Sequence, residues 1–428
     1  MALATYGVET GGSTLKELGR KVQAGVFKAA QYGVEEVTWI KALEKYDAPI
    51  SLREITHELD VLQATGAAFI PEGGKEARPS SPTAVTATVS TLLVNKRFTI
   101  SKTMQMILQK QGVRGVLESQ FKWQGRKAVE ALRARQGDTF YGFSTGTLAL
   151  ISSVAGAVYT LKDLYGIAGL GSLSHNRRVV DQFVAAASGN NADYIAALNP
   201  SGPALRDVPR KVIAKDRALN TVTTDVAITG AVANDLIVYA QNVENTTLAG
   251  GTERDLNPPG LLDGLTSVSL HGVSGATYEK WNAALNDASG GRFTGIKLMK
   301  AKDAITNLGG GTANRVIWAQ GVKNDVVAQL QAGLRFADAY GMEMDGSPKS
   351  KGIEFKTSRR VPDGYTFVMD DSNSMRRLML TPDVDTPGMD EGDKLQDDSG
   401  SIFSVDFLFT YPWTNRGNLA GFSGLTQQ

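Results

Sequence analysis

At 428 residues the chain exceeds the usual size of a single domain, and its 42% of hydrophobic residues can fill more than one core. Its 45 lysines and arginines nearly balance its 44 aspartates and glutamates, so the formal charge of +1 argues against a dedicated nucleic-acid-binding protein. The absence of cysteine excludes disulfides and thiolate metal sites and favours folding in the cytoplasm.

The most apolar stretch of the chain, residues 147–161, is interrupted by Ser152, Ser153 and Gly156. It is too short to span a bilayer, so we expect no membrane partner. Residues 1–14 contain no basic segment followed by an apolar run, so no secretory signal is predicted there.

The first hundred residues predict an arm followed by a long β-hairpin. Apolar residues at helical spacing predict a helix within 15–30 that has no core of its own. Residues 55–70 alternate as a strand does, residues 71–82 form a polar turn rich in proline and glycine, and residues 84–100 return. The return limb changes its apolar face near Thr91, which predicts a bulge or a strand that passes between two environments. Because an isolated ribbon is marginal in water, the hairpin requires a surface from the rest of the chain or from a neighbouring copy.

Residues 101–136 predict one long helix with an apolar stripe, weakened in its middle by Gly112 and Gly115. Its second half is basic, with Lys122, Arg126, Lys127, Arg133 and Arg135 set against Glu118 and Glu130. This basic half is either a solvated helix face or a contact surface for acidic segments of neighbouring copies or for packaged nucleic acid. The balanced total charge favours neighbouring copies over nucleic acid.

The rest of the chain predicts a mixed lobe and a strand-rich C-terminal part. Residues 137–220 combine short helical patterns with turns rich in glycine and serine. The strands predicted beyond them are 222–228, 235–240, 315–319, 353–355, 365–369, 375–380 and 403–411. The predicted helices are 277–288, 298–307 and 322–336. Strands and helices in this order predict the α+β fold class.

Residues 142–146, Gly-Phe-Ser-Thr-Gly, match the pattern that surrounds the nucleophilic serine of many hydrolases. That chemistry requires Ser144 on a tight turn between a strand and a helix, with an acid and a histidine further along the chain. The preceding residues 138–141 make a short and poorly apolar strand, and the downstream histidines are only His175 and His271. A pattern with so few fixed positions has low specificity. A serine hydrolase that uses Ser144 is therefore the alternative from a different class of protein.

No catalytic, cofactor-binding or metal-binding residues are predicted. The glycines within 166–171 and 309–311 lack the spacing of phosphate-binding loops and predict flexible loops. The acidic residues at 370–371 and 390–398 match no calcium-binding loop and predict solvated loops. The three histidines are scattered and form no ligand pair: His57, His175 and His271.

The order of these elements resembles that of the Hong Kong 97 type of tailed-bacteriophage major capsid protein. Three segments are similar to segments of that family: Asn257–Leu262, Gly352–Asp370 and Arg416–Gly421. The resemblance in the order of elements covers nearly the whole chain.

The resemblance implies the Hong Kong 97-type capsid fold, an α+β fold with an N-terminal arm, an extended β-hairpin loop, a long spine helix, and peripheral and axial domains. The corresponding segments are the arm 1–54, the extended loop 55–100, the peripheral domain 101–220 with its spine helix 101–136, the axial domain 221–350, and the C-terminal strands of the peripheral domain 351–428.

It also implies a structural protein, not an enzyme and without a cofactor, that self-assembles as pentamers and hexamers into an icosahedral phage capsid around double-stranded DNA. The implied partners are many copies of itself, packaged DNA bound non-specifically, and scaffold, portal and decoration proteins. The implied location is the virion capsid, assembled in the cytoplasm of a bacterial host. An encapsulin-like compartment shell, which encloses protein in place of DNA, is the alternative within the same fold.

In this family the extended loop lies across an adjacent subunit, which would supply the surface that the hairpin requires. The implied contacts between subunits are at the loop tip and on the basic half of the helix: Glu72, Lys75, Glu76, Arg78, Arg126, Arg133 and Arg135.

Overall fold

The structure is a computed structural model. It describes residues 43, 54–62, 83–90, 92–101, 114–142, 146–162, 180, 183–187, 192–200, 205–240, 258–288, 290–333, 352–358, 360–362, 364–376, 378–379, 388–390 and 400–426. The predicted arm helix within 15–30, the hairpin turn at 71–82 and the glycines at 166–171 lie outside the described residues. Among the described residues, no helix is both long enough and apolar enough to cross a membrane.

The described residues contain the helices α1 Arg114–Tyr141, α2 Leu261–Thr266, α3 Gly295–Gly309 and α4 Gln320–Gly333, with 3₁₀ turns at Glu279–Trp281 and Arg416–Asn418. The strands of the first half of the chain are β1 Glu54–Leu62, β2 Thr83–Ser90, β3 Leu92–Ser101, β4 Thr147–Ala155, β5 Val158–Lys162, β6 Tyr194–Leu198 and β7 Arg210–Asp216. The remaining strands are β8 Thr221–Thr224, β9 Leu236–Ala240, β10 Ser269–Leu270, β11 Val273–Ser274, β12 Leu285–Asp287, β13 Arg315–Ala319, β14 Glu354–Ser358, β15 Thr366–Met369, β16 Leu378–Met379, β17 Gly388–Asp390, β18 Gly400–Thr410 and β19 Leu419–Phe422.

The chain divides into two compact units. The first unit consists of Met1–Arg53, Ser90–Asp138 and Arg377–Thr410, and the second of Glu54–Val89, Thr139–Arg376 and Tyr411–Gln428.

The first unit contains most of α1 and a sheet centred on β18. Strand β3 runs antiparallel to β18 in an unbroken register from Leu92 opposite Phe409 to Ser101 opposite Gly400. Strands β16 and β17 also pair antiparallel with β18. The strand predicted at 403–411 is thus confirmed, because β18 occupies Gly400–Thr410.

The long helix is confirmed, but the predicted bounds 101–136 are wrong at both ends. Ser101 is the last residue of β3, because its pairing with β18 continues the strand to that point. The helix spans Arg114–Tyr141, so Gly115 lies in its first turn and does not weaken its middle. A glycine costs least near a helix end, where fewer backbone hydrogen bonds depend on it.

The return limb of the hairpin passes between two environments, as its change of face near Thr91 predicted. Strand β2 pairs with β1, and β3, which begins one residue after Thr91, pairs with β18. In the second unit Leu59, Ala87 and Val89 are buried. The rest of the chain therefore supplies the surface for the described base of the hairpin.

The second unit contains a closed six-stranded barrel in the order β4-β5-β8-β7-β6-β9, which was not predicted. The core of the barrel is apolar and includes Ile151, Tyr159, Phe183, Val212 and Ile237. The apolar stretch 147–161 forms the hairpin β4–β5, which turns at Gly156 with a left-handed φ of 63°. Strands β7 and β8 pair antiparallel, from Asp216 opposite Thr221 to Val212 opposite Thr224, on the two sides of the predicted boundary 220/221.

The second unit also contains a five-stranded sheet in the order β12-β19-β15-β13-β14. All five residues of β13 are buried; this strand runs parallel to β14 and antiparallel to β15. The strand predicted at 315–319 is confirmed, and α3 and α4 confirm the helices predicted at 298–307 and from 322 onward. The strands predicted at 235–240, 353–355 and 365–369 are confirmed within a few residues, whereas the one at 222–228 ends at Thr224 and the one at 375–380 is reduced to β16.

The helix predicted at 277–288 is wrong. Residues Glu279–Trp281 form a single 3₁₀ turn, in which the indole of Trp281 donates to the carbonyl oxygen of Leu270 at 3.1 Å. The following residues form β12, which pairs in parallel with β19 from Leu285 opposite Ala420. Pairing with a strand more than a hundred residues away overrides the local helical spacing of apolar residues.

Candidate assembly surfaces

The outer face of α1 presents an exposed aromatic side chain among compensated charges. Trp123 is 54% exposed, and Lys127 lies one helical turn further on. Arg126 and Lys127 both pair with Glu130, with nitrogen–oxygen distances of 3.9 Å and 2.8 Å. An exposed tryptophan beside arginine is the composition of an anchor point in a protein–protein contact.

The three residues of this helix that were predicted to contact neighbouring copies differ in their exposure to solvent. Arg126 is partly exposed beside Glu130, and Arg135 is half-buried. Arg133 is only 4% exposed, because it lies on the same side of the helix as the buried Val129 and Gln136. Little of the surface of Arg133 is therefore available for contact with a neighbouring copy. The predicted contacts at the hairpin tip, Glu72, Lys75, Glu76 and Arg78, lie outside the described residues.

The base of the hairpin is fixed to the second unit through β2. The backbone N–H of Thr88 donates to the carbonyl oxygen of His271 at 3.1 Å. Along β2 the buried Ala87 and Val89 alternate with the exposed Thr86 and Thr88. The described base of the hairpin is therefore anchored in the second unit and has exposed threonines along β2.

A buried cation holds the C-terminal segment of the second unit. Arg416 is 1% exposed; its guanidinium donates to the carbonyl oxygens of Gly264 at 2.9 Å and Ser267 at 2.7 Å. These carbonyls lie at the C-terminal end of α2, where the helix dipole favours a cation. Burial lowers the pKa of Arg416 to about 10, and the nearby Asp263 opposes that shift. Arg416 is therefore still charged at neutral pH.

Trp413 connects the same segment to the anchor of the hairpin. Its indole donates to the carbonyl oxygen of Pro259 at 3.4 Å, and its backbone N–H donates to Nε2 of His271 at 3.3 Å. His271 thus bonds both Trp413 and Thr88. His271 therefore joins the base of the hairpin to the C-terminal segment of the second unit.

The glycines at 309–311 form a packed corner and not the flexible loop that was predicted. Gly310 ends α3 with a left-handed φ of 71°. A Cβ atom at Gly309 would lie 2.0 Å from Oδ1 of Asn418, and one at Gly311 would lie 2.4 Å from the same atom. The corner needs glycine because the segment after Arg416 fills the space beside the backbone.

The solvated loop predicted at 370–371 is wrong, because Asp370 is only 4% exposed and both carboxylates bond to other residues of the protein. Oδ2 of Asp370 accepts from the backbone N–H of Thr312 at 3.1 Å and from the amide of Asn373 at 3.1 Å. Asp371 pairs with Arg315 at 2.7 Å. Among the described residues, no group of three or more His, Asp or Glu side chains is arranged to hold a metal ion.

The element order around residues 142–146 does not fit the serine hydrolase alternative. Ser144 itself lies outside the described residues. The segment follows the end of α1 at Tyr141 and precedes β4 at Thr147, so it connects a helix to a strand. The nucleophile of such hydrolases needs the opposite order, a strand followed by a helix.

Two arginines of the locally basic stretch 206–217 pair with neighbouring carboxylates. Arg206 forms two hydrogen bonds to the buried Asp235, at 3.0 Å and 2.8 Å. Arg210 pairs with Asp207 at 2.8 Å, and the backbone N–H of Thr229 donates to the same carboxylate at 3.0 Å. The bond from Arg210, followed by the one from Thr229, holds the pKa of Asp207 well below its usual range.

No protein-family model matches the chain, and no curated protein matches it. Among solved structures, the chain is similar to the capsid asymmetric unit of cyanophage A-1(L), with 11% identity, 93% of this chain and 95% of that chain covered, and a TM-score of 0.51. It also matches the capsid of a native GTA particle, with 8% identity, 91% of each chain covered and a TM-score of 0.43. A third match is the SrpI encapsulin of Synechococcus elongatus, with 8% identity, 91% of this chain and 88% of that chain covered, and a TM-score of 0.42.

The match to the cyanophage subunit spans nearly the whole of both chains, so it concerns the entire fold. The chain has the Hong Kong 97-type capsid fold, which is of the α+β class. The predicted fold class and the predicted resemblance are confirmed. The division into arm, extended loop, peripheral domain and axial domain stays a prediction, as do the contact residues.

Proposed function

We propose that the chain assembles with copies of itself, as pentamers and hexamers, into the icosahedral capsid of a tailed phage. The observation that carries the proposal is the fold, which matches a cyanophage capsid subunit over 93% of this chain and 95% of the other. Proteins with this fold assemble with copies of themselves into shells. The capsid encloses double-stranded DNA and is assembled in the cytoplasm of a bacterial host.

The charges of the chain support assembly of many identical copies. A net charge of +1 leaves little electrostatic repulsion between subunits. The same balance supports non-specific enclosure of DNA in place of tight binding, since tight binding requires many uncompensated cations. Scaffold, portal and decoration proteins are the other expected partners, and the mature location is the virion.

The native size of the purified protein is the first test. At assembly concentrations we expect light scattering from large particles and closed shells of uniform diameter in electron micrographs. A protein that remains a monomer or dimer under these conditions contradicts the proposal. Particles isolated from the cells that naturally produce the protein should contain double-stranded DNA that is protected from nuclease.

The contents of those particles distinguish a phage capsid from a compartment shell of the encapsulin type. Closed particles that hold a specific protein and no protected DNA favour the compartment shell.

The Ser144→Ala variant tests the remaining alternative. We expect it to assemble normally, and loss of an esterase activity from the parent protein would support the hydrolase.

A further inference from the structure

The outer face of α3 carries two of the most exposed large apolar side chains in the described part of the chain. Ile296 is 80% exposed and Met299 is 65% exposed. They lie three residues apart and therefore share one face of the helix. Ala301 and Ile305 are buried on the opposite side, so the two exposed side chains are not needed for the packing of α3 in its own unit.

Three cations near this apolar pair have partners within the unit. Lys300 pairs with Asp287 at 2.8 Å, and Arg292 pairs with Asp325 at 3.6 Å. The ammonium group of Lys297 donates to the carbonyl oxygen of Gly290 and lies 5.7 Å from the ring centre of Phe422. The apolar pair therefore has a polar rim in which each of these cations has an internal partner.

The helix that carries the pair is fixed at both ends. Oγ1 of Thr294 accepts from the backbone N–H of Lys297 at 3.4 Å, and Gly310 ends the helix in a left-handed conformation. Ile296 and Met299 are thus presented from a rigid element close to its capped N-terminus. A partner that covers them loses little conformational freedom of this chain.

We infer that Ile296 and Met299 form a contact between copies of this chain, an inference that rests on the proposed function. An apolar centre with a compensated polar rim suits a second copy of a nearly neutral protein. Nucleic acid would require free cations, and here Lys297, Lys300 and Arg292 have internal partners. A membrane surface would require a longer apolar stripe, but the outer face continues with Asp303 and Asn307.

The absence of cysteine allows a direct test of this contact. The Ile296→Cys and Met299→Cys variants each carry a single thiol, whose alkylation by a small maleimide is timed in free subunits and in assembled particles. We expect the thiol to react at least about tenfold more slowly in particles, because a side chain in the centre of a contact is shielded from solvent. Particles assembled from the purified protein without nucleic acid should show the same protection.

The Asn307→Cys variant is the matched control. Asn307 is exposed on the same outer face, about 12 Å along the helix axis from Met299. Its thiol should react equally fast in subunits and particles, which shows that the reagent reaches this part of the shell. The assignment of the contact to the apolar pair would be overturned if each of the three thiols reacted as fast in particles as in subunits. It would also be overturned if all three were protected to the same extent.

A charge at the same positions tests whether the contact contributes to assembly. The Ile296→Asp and Met299→Asp variants should raise the concentration required for particle formation by about tenfold or more, while Asn307→Asp should match the parent protein. The melting temperature of the free subunit should be unchanged in all three.

If the parent protein forms no particles, the proposed function fails. If particles form but both apolar positions stay accessible, this inference fails alone. Protection seen only in particles that contain nucleic acid would assign the face to nucleic acid and would also overturn the inference.

Discussion

Arg416 binds the C-terminal end of a helix that lies about 150 residues earlier in the chain: its Nε donates to the carbonyl oxygen of Gly264 at 2.9 Å. The guanidinium of Arg416 is buried. The bond joins α2 to the segment that leads into β19. The buried cation therefore helps to hold α2 against the segment that enters the five-stranded sheet.

We expect the Arg416→Ala variant to lose about 3–5 kcal/mol of unfolding free energy, because it leaves two helix-end carbonyls and the buried Asp263 without this partner. The Arg416→Lys variant should lose less, since lysine keeps the charge but not the planar fork that reaches both carbonyls. Urea unfolding of dissociated subunits measures both. Equal stability of the alanine variant and the parent protein would show that Arg416 is not a structural link.

The elements that the sequence predicted correctly are those in which one local pattern decides the structure. Strand β13 is a short run buried on all sides, and β18 alternates along its length, so both can be recognised without knowledge of their partners. The change of face near Thr91 was also a local signal. It correctly indicated that β2 and β3 belong to different sheets.

The elements that were missed depend on distant parts of the chain. The barrel closes through β4 and β9, which are separated by about 80 residues, and its short strands carry no strong pattern alone. A glycine turn at Gly156 between two apolar limbs was the one signal that could have indicated its first hairpin. On α1 the burial of Arg133 was missed for a similar reason. A count of basic residues does not show which side of the helix is covered.

The Gly260→Ala variant should be unstable because Gly260 lies against the last turn of α1. A Cβ atom there would lie 2.4 Å from the carbonyl oxygen of Thr139 and 2.7 Å from that of Phe140. These are backbone atoms that cannot rotate away, so we expect a loss of about 1–3 kcal/mol or more in urea unfolding. Gly295→Ala is the control, since nothing lies within 4 Å of a Cβ atom at that position. Its stability should stay within about 1 kcal/mol of the parent protein, and a similar loss in both variants would contradict this explanation.

Asp207 should make the stability of the protein sensitive to acid. Its pKa is lowered in the folded state by Arg210 and Thr229, so below its usual pKa of 3.8 the unfolded state binds more protons. The stabilisation by the Asp207 carboxylate is therefore present at neutral pH and decreases as the pH falls below that value. We expect Asp207→Asn to lower the melting temperature at pH 7 and to converge on the parent protein as the solution is acidified. The Asp303→Asn variant, which removes an exposed carboxylate, should show no such convergence. A constant difference between Asp207→Asn and the parent protein at every pH would rule out this linkage.

Removal of the hairpin tip should separate folding from assembly. The described base of the hairpin is held in its own unit by the buried Leu59, Ala87 and Val89 and by the bond from Thr88 to His271. Replacing residues 71–82 by a short glycine-containing turn leaves this base in place, so we expect a soluble subunit whose melting temperature is close to that of the parent protein. If the tip reaches an adjacent subunit, its loss removes one contact from every copy, and the yield of closed particles in electron micrographs should fall sharply.

Two further variants make the result of the deletion specific. Substitution of Glu72, Lys75, Glu76 and Arg78 by serine keeps the length of the tip and removes its charges, so a loss of assembly in this variant assigns the contact to ion pairs. Ala87→Asp places a charge in the buried base and should lower the melting temperature of the subunit itself, because an unpaired charge is costly to bury. This second variant shows how a folding defect differs from an assembly defect. Regular shells formed by the deletion variant at the concentration that suffices for the parent protein would show that the hairpin tip is not a clasp between subunits.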